Sequence, residues 1–73
     1  MPDLPSLVAR RIQEIRVAKK LSRQELADRL GVTYLQVYRV ETGKTDVSAD
    51  DAPLFAKALD CSIASLYRER AAS

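Results

Sequence analysis

Six side chains hold most of the recognition chemistry in this 73-residue chain: Arg23, Tyr34, Leu35, Gln36, Tyr38 and Arg39. They suit contact and hydrogen bonding rather than bond breaking. Arginine can pair bidentately with the O6 and N7 atoms of guanine, glutamine can read adenine or bond a phosphate, and leucine can pack on a thymine methyl. Tyrosine hydroxyls can meet phosphates or base edges, and the two rings lie one helical turn apart on one face. Ser22 and Arg23 stand at an expected helix start, where backbone N–H groups favour an anion. Catalytic and metal chemistry are poorly supplied. Histidine is absent and Cys61 is the single cysteine, which excludes an intramolecular disulfide and a cysteine-rich metal site. The sequence contains no thiol–base pair and no glycine-rich phosphate loop. Asp50 and Asp51 read as helix-start charges. No enzymatic activity, no cofactor and no small-molecule ligand are expected.

The stretch that must position these residues is RQELADRLGVTYLQVYRVET, residues 23–42. Two short helical patterns flank a Gly-Val turn. Ala27 lies four residues before Gly31, Val37 six after it and Val40 nine after it. A small residue lets two helices cross closely, and glycine takes the left-handed turn conformation at no steric cost. Val37 and Val40 then face inward, and Val32 is expected to plug the turn. These offsets suit a helix-turn-helix, whose second helix keeps an exposed face for the major groove of DNA. Tyr34, Leu35, Tyr38 and Arg39 point outward on that helix, with Gln36 nearby. Each has a plainer reading. Tyr34 and Tyr38 can cover the edge of the core, Leu35 can be buried or join a protein interface, and Arg39 can be a solvated charge.

The flanking segments read as further helices. Residues 1–5 form an extended lead-in with two prolines. Ser6 caps a first helix in which Val8, Ile12, Ile15 and Ala18 recur at helical spacing to about Lys20, closed by Leu21. Ser22 caps the second helix, and Ser22-x-x-Glu25 has capping-box spacing. Leu26, Ala27 and Leu30 form its buried stripe, and Gly31 ends it. Thr33 caps the third helix, which Gly43 stops. Residues 44–49 are a polar loop. Asp50 or Asp51 starts a fourth helix with Pro53 in its first turn and Leu54, Phe55, Ala58 and Leu59 on its apolar face. Ser62 caps a fifth, whose apolar positions are Ile63, Leu66 and Tyr67 and whose end is Arg68-Glu69-Arg70. The expected fold is all-α, one compact five-helix domain over residues 6–70 with a frayed tail over 71–73.

Composition bounds the partners. Residues 1–44 hold nine Lys/Arg against five Asp/Glu, a net of +4, whereas residues 45–73 hold three against five, a net of −2. The basic half is the half with the helix-turn-helix pattern. Tryptophan is absent and aromatics are 5% of residues, which argues against a sugar- or base-stacking surface. No apolar run approaches the roughly 20 residues that span a bilayer, and residues 1–11 lack a signal-peptide core. A cytoplasmic, nucleoid-associated protein without membrane contact is expected.

The segments RIQEIRVAKKLSRQELADRLGV, VYRVETGK and LFAKALDCSIASLY resemble, in order and spacing, the Cro/repressor helix-turn-helix family of phage repressors and small bacterial regulators. The resemblance covers about residues 7–67. It implies a structural ion pair between Arg16 and Glu41, which pins the first helix to the reading helix. It implies base reading by Tyr34, Leu35, Gln36, Tyr38 and Arg39, and phosphate contacts by Ser22, Arg23, Thr33, Gly43, Lys44 and Thr45. Arg10, Arg11, Lys19 and Lys20 add to the positive field as general surface charges. The chain departs from the family at two places. Tyr34 and Arg23 stand where relatives often carry cooperating glutamines, so Arg23 is expected to act as a direct phosphate clamp.

One unit of this size reads few base pairs, so a homodimer on a palindrome with half-sites about 34 Å apart is expected. The family often pairs through the last helix, which points to Ile63, Ala64 and Tyr67, with Leu66 as core. Cys61, before that helix, reads as a buried structural thiol rather than a redox switch. With the chain ending at Ser73, no separate sensing domain is expected. The implied function is a sequence-specific regulator of transcription, a repressor on double-stranded DNA in the style of phage Cro or a restriction–modification controller. The competing class is a protein-interaction module or antitoxin with a toxin or other protein partner, using the exposed face of the third helix.

Overall fold

In the computed structural model, which describes residues 7–67, the chain forms α1 (Leu7–Ala18), α2 (Arg23–Leu30), α3 (Tyr34–Glu41), α4 (Ala52–Ala58) and α5 (Ile63–Tyr67). The expected cap at Ser6, the lead-in, the end at Arg68-Glu69-Arg70 and the tail lie outside the described residues. No strand occurs among the described residues. α1 packs on α3 and α5, α2 on α3 and α4, and α4 on α5. Ile12, Leu26, Val37, Phe55, Leu59 and Leu66 bring all five helices to one core. No described helix is long and apolar enough to cross a membrane.

The first four helices end in the same way. The residue after each last turn goes left-handed, and its N–H and the next one reach back to the carbonyls three and five residues earlier, the paired bonds of a Schellman motif. Gly31 (φ 73°) ends α2, with Gly31 N–H on Asp28 at 3.3 Å and Val32 N–H on Ala27 at 3.0 Å. Gly43 (φ 84°) ends α3, with Gly43 N–H on Val40 and Lys44 N–H on Arg39. Lys20 (φ 59°) and Asp60 (φ 55°) end α1 and α4 without glycine. Aspartate tolerates this region; lysine has a Cβ close to its carbonyl there. α1 therefore stops at Ala18, earlier than the apolar spacing suggests, and Ala18 is exposed while Ala9 takes the buried place. Lys20→Gly is expected to stabilise the fold by about 0.5–1 kcal/mol, the relief of strain less the entropy of glycine. Urea unfolding at unchanged slope measures it, and a lower midpoint would mean that the lysine side chain contributes more than its backbone costs.

Helix starts follow the capping rules. Ser22 Oγ accepts the Glu25 N–H at 3.0 Å, and Glu25 Oε1 accepts the Ser22 N–H at 2.9 Å. The Ser22 N–H, then its hydroxyl, hold the Glu25 carboxyl below its ordinary value of 4.5. The stabilisation is therefore present above that pH and is lost as acid takes the pH through the lowered folded value. At α4 the cap comes from upstream. Asp51 makes no side-chain cap; the Ser48 hydroxyl accepts the Asp51 N–H at 3.2 Å and the Ser48 carbonyl accepts Ala52 N–H at 3.0 Å.

Three expectations about the core change. Leu54 is 56% exposed, because Ala52, Phe55, Ala56 and Leu59 form the buried stripe of α4 and Leu54 falls one step outside it. Val32 does not plug the turn; it is exposed beside Leu54 in an open groove between α3 and α4. The Schellman bonds and the α2–α3 crossing close the turn without it. Leu66, expected as core, is the buried residue of α5, whereas Ile63 and Tyr67 are exposed. Val47, in the polar loop, packs against the core.

Candidate nucleic-acid interface

The outward face of α3 follows from what the helix buries. Val37, Val40 and Glu41 are buried, which turns Tyr34, Leu35, Gln36, Tyr38 and Arg39 to the surface. α3 begins at Thr33, whose hydroxyl accepts the Gln36 N–H at 3.3 Å while Gln36 Oε1 accepts the Thr33 N–H at 3.0 Å. This is a second capping box. It ties Gln36 to its own helix start, so reading adenine would cost that cap unless the side-chain amide nitrogen alone is used. Thr33-x-x-Gln36 has the same spacing as Ser22-x-x-Glu25, so the sequence carried the signal.

Glu41 is the hub behind the reading face. Its side chain is fully buried. Arg16 Nε donates to Oε2 at 2.7 Å and Nη2 to Oε1 at 3.0 Å, a bidentate pair, and Arg16 Nη1 donates to the Leu21 carbonyl at 2.8 Å. α1 is thereby fastened to the last turn of α3. Arg23 is brought to the same carboxylate, its Nε 2.9 Å from Oε1. One anion thus serves two cations and the cluster keeps a net positive charge. Arg23 also lies over the Tyr38 ring, 5.1 Å from its centroid, within the range of a cation–π contact. Tyr38 in turn stacks on Tyr34, with centroids 6.5 Å apart and planes 17° from parallel. Glu41, then the Tyr34 hydroxyl, hold the Arg23 guanidinium charged beyond its ordinary range. The guanidinium expected from the sequence to clamp a phosphate is turned toward protein groups, the Glu41 carboxylate and the Tyr38 ring.

The remaining phosphate candidates are placed around α3. The N–H groups of Gly43, Lys44 and Thr45 are all committed to α3 carbonyls, Lys44 and Thr45 both to Arg39. What this turn offers an anion is the exposed Lys44 ammonium and Thr45 hydroxyl. Ser22 and Thr33 spend their hydroxyls on caps. Among the supposed general charges, Arg11 Nε donates to the Ser65 carbonyl at 3.1 Å and Lys19 Nζ to the Asp60 carbonyl at 3.2 Å, which ties α1 to α5 and its preceding turn. Arg29, not singled out from the sequence, donates to the Ala58 carbonyl at 3.0 Å. No local spacing foretells such bonds. Ile63, Ala64 and Tyr67 are exposed together on α5. Cys61 is half-buried against the core. Burial pushes its thiol up, so the nucleophilic thiolate is scarce at neutral pH and a redox role is disfavoured.

Comparison with known proteins agrees with this geometry. The helix-turn-helix family profile matches residues 12–66. An uncharacterised HTH-type transcriptional regulator of Rickettsia conorii is 37% identical over 60 residues, covering 82% of this chain and 48% of that protein. The chain spans about half the length of the curated relatives it matches. The restriction–modification controller protein C.AhdI from Aeromonas hydrophila is similar in structure, with a TM-score of 0.76 at 35% identity, over 82% of this chain and 91% of that one. The DNA-binding domain of the P22 c2 repressor gives a TM-score of 0.78 at 26% identity, over 85% and 82% of the two chains. These relatives are regulators and a repressor domain rather than enzymes. With five helices in the same arrangement and a profile match across α1 to α5, this chain belongs to the Cro/repressor-type helix-turn-helix family.

Proposed function

We propose that this domain is a sequence-specific regulator that lays α3 in the major groove of double-stranded DNA. It acts as a homodimer on a palindromic operator and represses transcription from the cytoplasm. The observation that carries this reading is the division of α3, with its buried side spent on the core and Glu41 and its open side showing Tyr34, Leu35, Tyr38 and Arg39. A helix so exposed at one edge of a small basic unit fits the groove in width and charge. Lys44 and Thr45 flank it for phosphate contact, and Ser22 and Thr33 mark the positive ends of α2 and α3. The similarity to C.AhdI and to the P22 c2 DNA-binding domain supports the same reading. The exposed apolar groups Ile63, Ala64 and Tyr67 on α5 supply the dimer contact.

Selection of bound duplexes from a random pool tests it. The expected result is a palindromic motif with half-site centres about one helical turn apart. Arg39→Ala is expected to relax preference at one or two positions of each half-site, with a loss of about 1–3 kcal/mol if the arginine pairs with guanine. An unchanged motif would remove Arg39 from base reading. No enrichment with the native chain would transfer the exposed Tyr34, Leu35 and Tyr38 to a protein partner such as a toxin.

A further inference from the structure

We propose that Arg23 is a positioning residue for base reading, which holds Tyr34 and Tyr38 as one oriented aromatic pair, rather than a phosphate clamp. The proposal rests on the reading of α3 as the groove-facing helix. Arg23 stands at the first position of α2, yet its guanidinium reaches across to α3. Its Nε is 2.9 Å from the buried Glu41 carboxylate and its plane carbon is 5.1 Å from the Tyr38 ring centroid. Tyr38 stacks on Tyr34. Glu41, Arg23, Tyr38 and Tyr34 therefore form a continuous stack from the core to the open face. The innermost member is held in place, because Arg16 grips the same carboxylate twice. Two tyrosines free on a helix surface would sample several rotamers and lose that freedom on binding. Fixed from behind, they present their hydroxyls and ring edges in one orientation. The Nε–H of Arg23 is spent on Glu41, which leaves the guanidinium fewer donors for a phosphate.

Lysine at this position separates the two roles. It keeps a positive charge at the start of α2, but a compact ammonium cannot both bond the carboxylate and lie flat on a ring. For native protein and Arg23→Lys, affinities are measured for the selected site and for a scrambled duplex over a range of salt. Ring resonances of Tyr34 and Tyr38 are recorded in the free proteins by NMR, with thermal unfolding as a control for folding. The expected result is an unchanged salt slope, a specificity ratio lower by roughly tenfold, and shifted, averaged ring signals from a folded variant. Tyr38→Leu, which removes the ring and keeps Arg23, is expected to lower the ratio and to reduce the further effect of Arg23→Lys when combined, leaving only the share that passes through the Tyr34 hydroxyl. An Arg23→Lys protein with native specificity overturns the proposal while DNA reading stands. So does Arg23→Gln losing about one unit of salt slope at native specificity, the signature of a phosphate contact. A native protein that does not discriminate between the duplexes removes the DNA-reading function itself, and this role with it.

Discussion

Glu41→Ala is expected to destabilise the domain by about 3–5 kcal/mol, enough to unfold much of a chain this small at 25 °C. The carboxylate is fully buried and answers three N–H donors from two guanidiniums. Without it, Arg23 can turn to solvent, since its side chain is 24% exposed. Arg16 cannot, since its side chain is 10% exposed and bound on its other side to the Leu21 carbonyl. The penalty is therefore mainly a buried, unanswered charge in α1. Two further variants separate this from lost packing. Glu41→Gln keeps the volume and one acceptor and should fall between native and alanine. The double change Arg16→Leu with Glu41→Leu should regain much of the loss, because an apolar pair avoids desolvating either ion. Urea unfolding reads all three. A Glu41→Ala protein within 1 kcal/mol of native would mean that water enters the site and solvates Arg16.

Leu66→Ala is expected to cost about 2–5 kcal/mol. α5 has five described residues, and Leu66 is the one buried among them, wholly closed to solvent between α1 and α4. The polar tethers, Arg11 on the Ser65 carbonyl and Lys19 on the Asp60 carbonyl of the preceding turn, bond the backbone and do not fill the cavity left behind. Amide exchange should show α5 losing protection first and α1 following. Tyr67, next in sequence and 49% exposed, serves as the contrast. Tyr67→Ala should leave monomer stability within about 0.5 kcal/mol and should weaken operator binding at low protein concentration if α5 joins the dimer. Equal losses from the two variants in the isolated monomer would place Tyr67 in the core instead.

Much of this arrangement was legible in the chain. Gly31 and Gly43 marked two helix ends because left-handed backbone selects glycine. Ser22 and Thr33 marked two starts because their hydroxyls answer orphan N–H groups. Val37 and Val40 set which side of α3 is open. The exits of α1 and α4 were harder to see, since Lys20 and Asp60 take the same conformation without the residue that announces it. Leu54 and Val32 misled because apolar spacing cannot choose between adjacent stripes on a short helix or turn. The small Ala52 and Ala56, carrying little hydrophobic signal, took the buried places beside Phe55.

By itself, then, the sequence determined what depends on near neighbours: helix starts and glycine-marked stops, the buried side of α3, and the basic first half. Apart from the Arg16–Glu41 pair, which the family resemblance implied, tertiary structure decided what needed two distant segments at one point. Arg16 and Arg23 meet Glu41 only because α1, α2 and α3 converge. Arg11, Lys19 and Arg29 bond the carbonyls of α4, α5 and the turn between them at sequence separations of 54, 41 and 29. A charge read from the chain alone looks free for solvent or phosphate. Whether it is free depends on which acceptors the fold withdraws from water beside it, because a buried carboxylate or helix-end carbonyl must be answered by whatever donor can reach it.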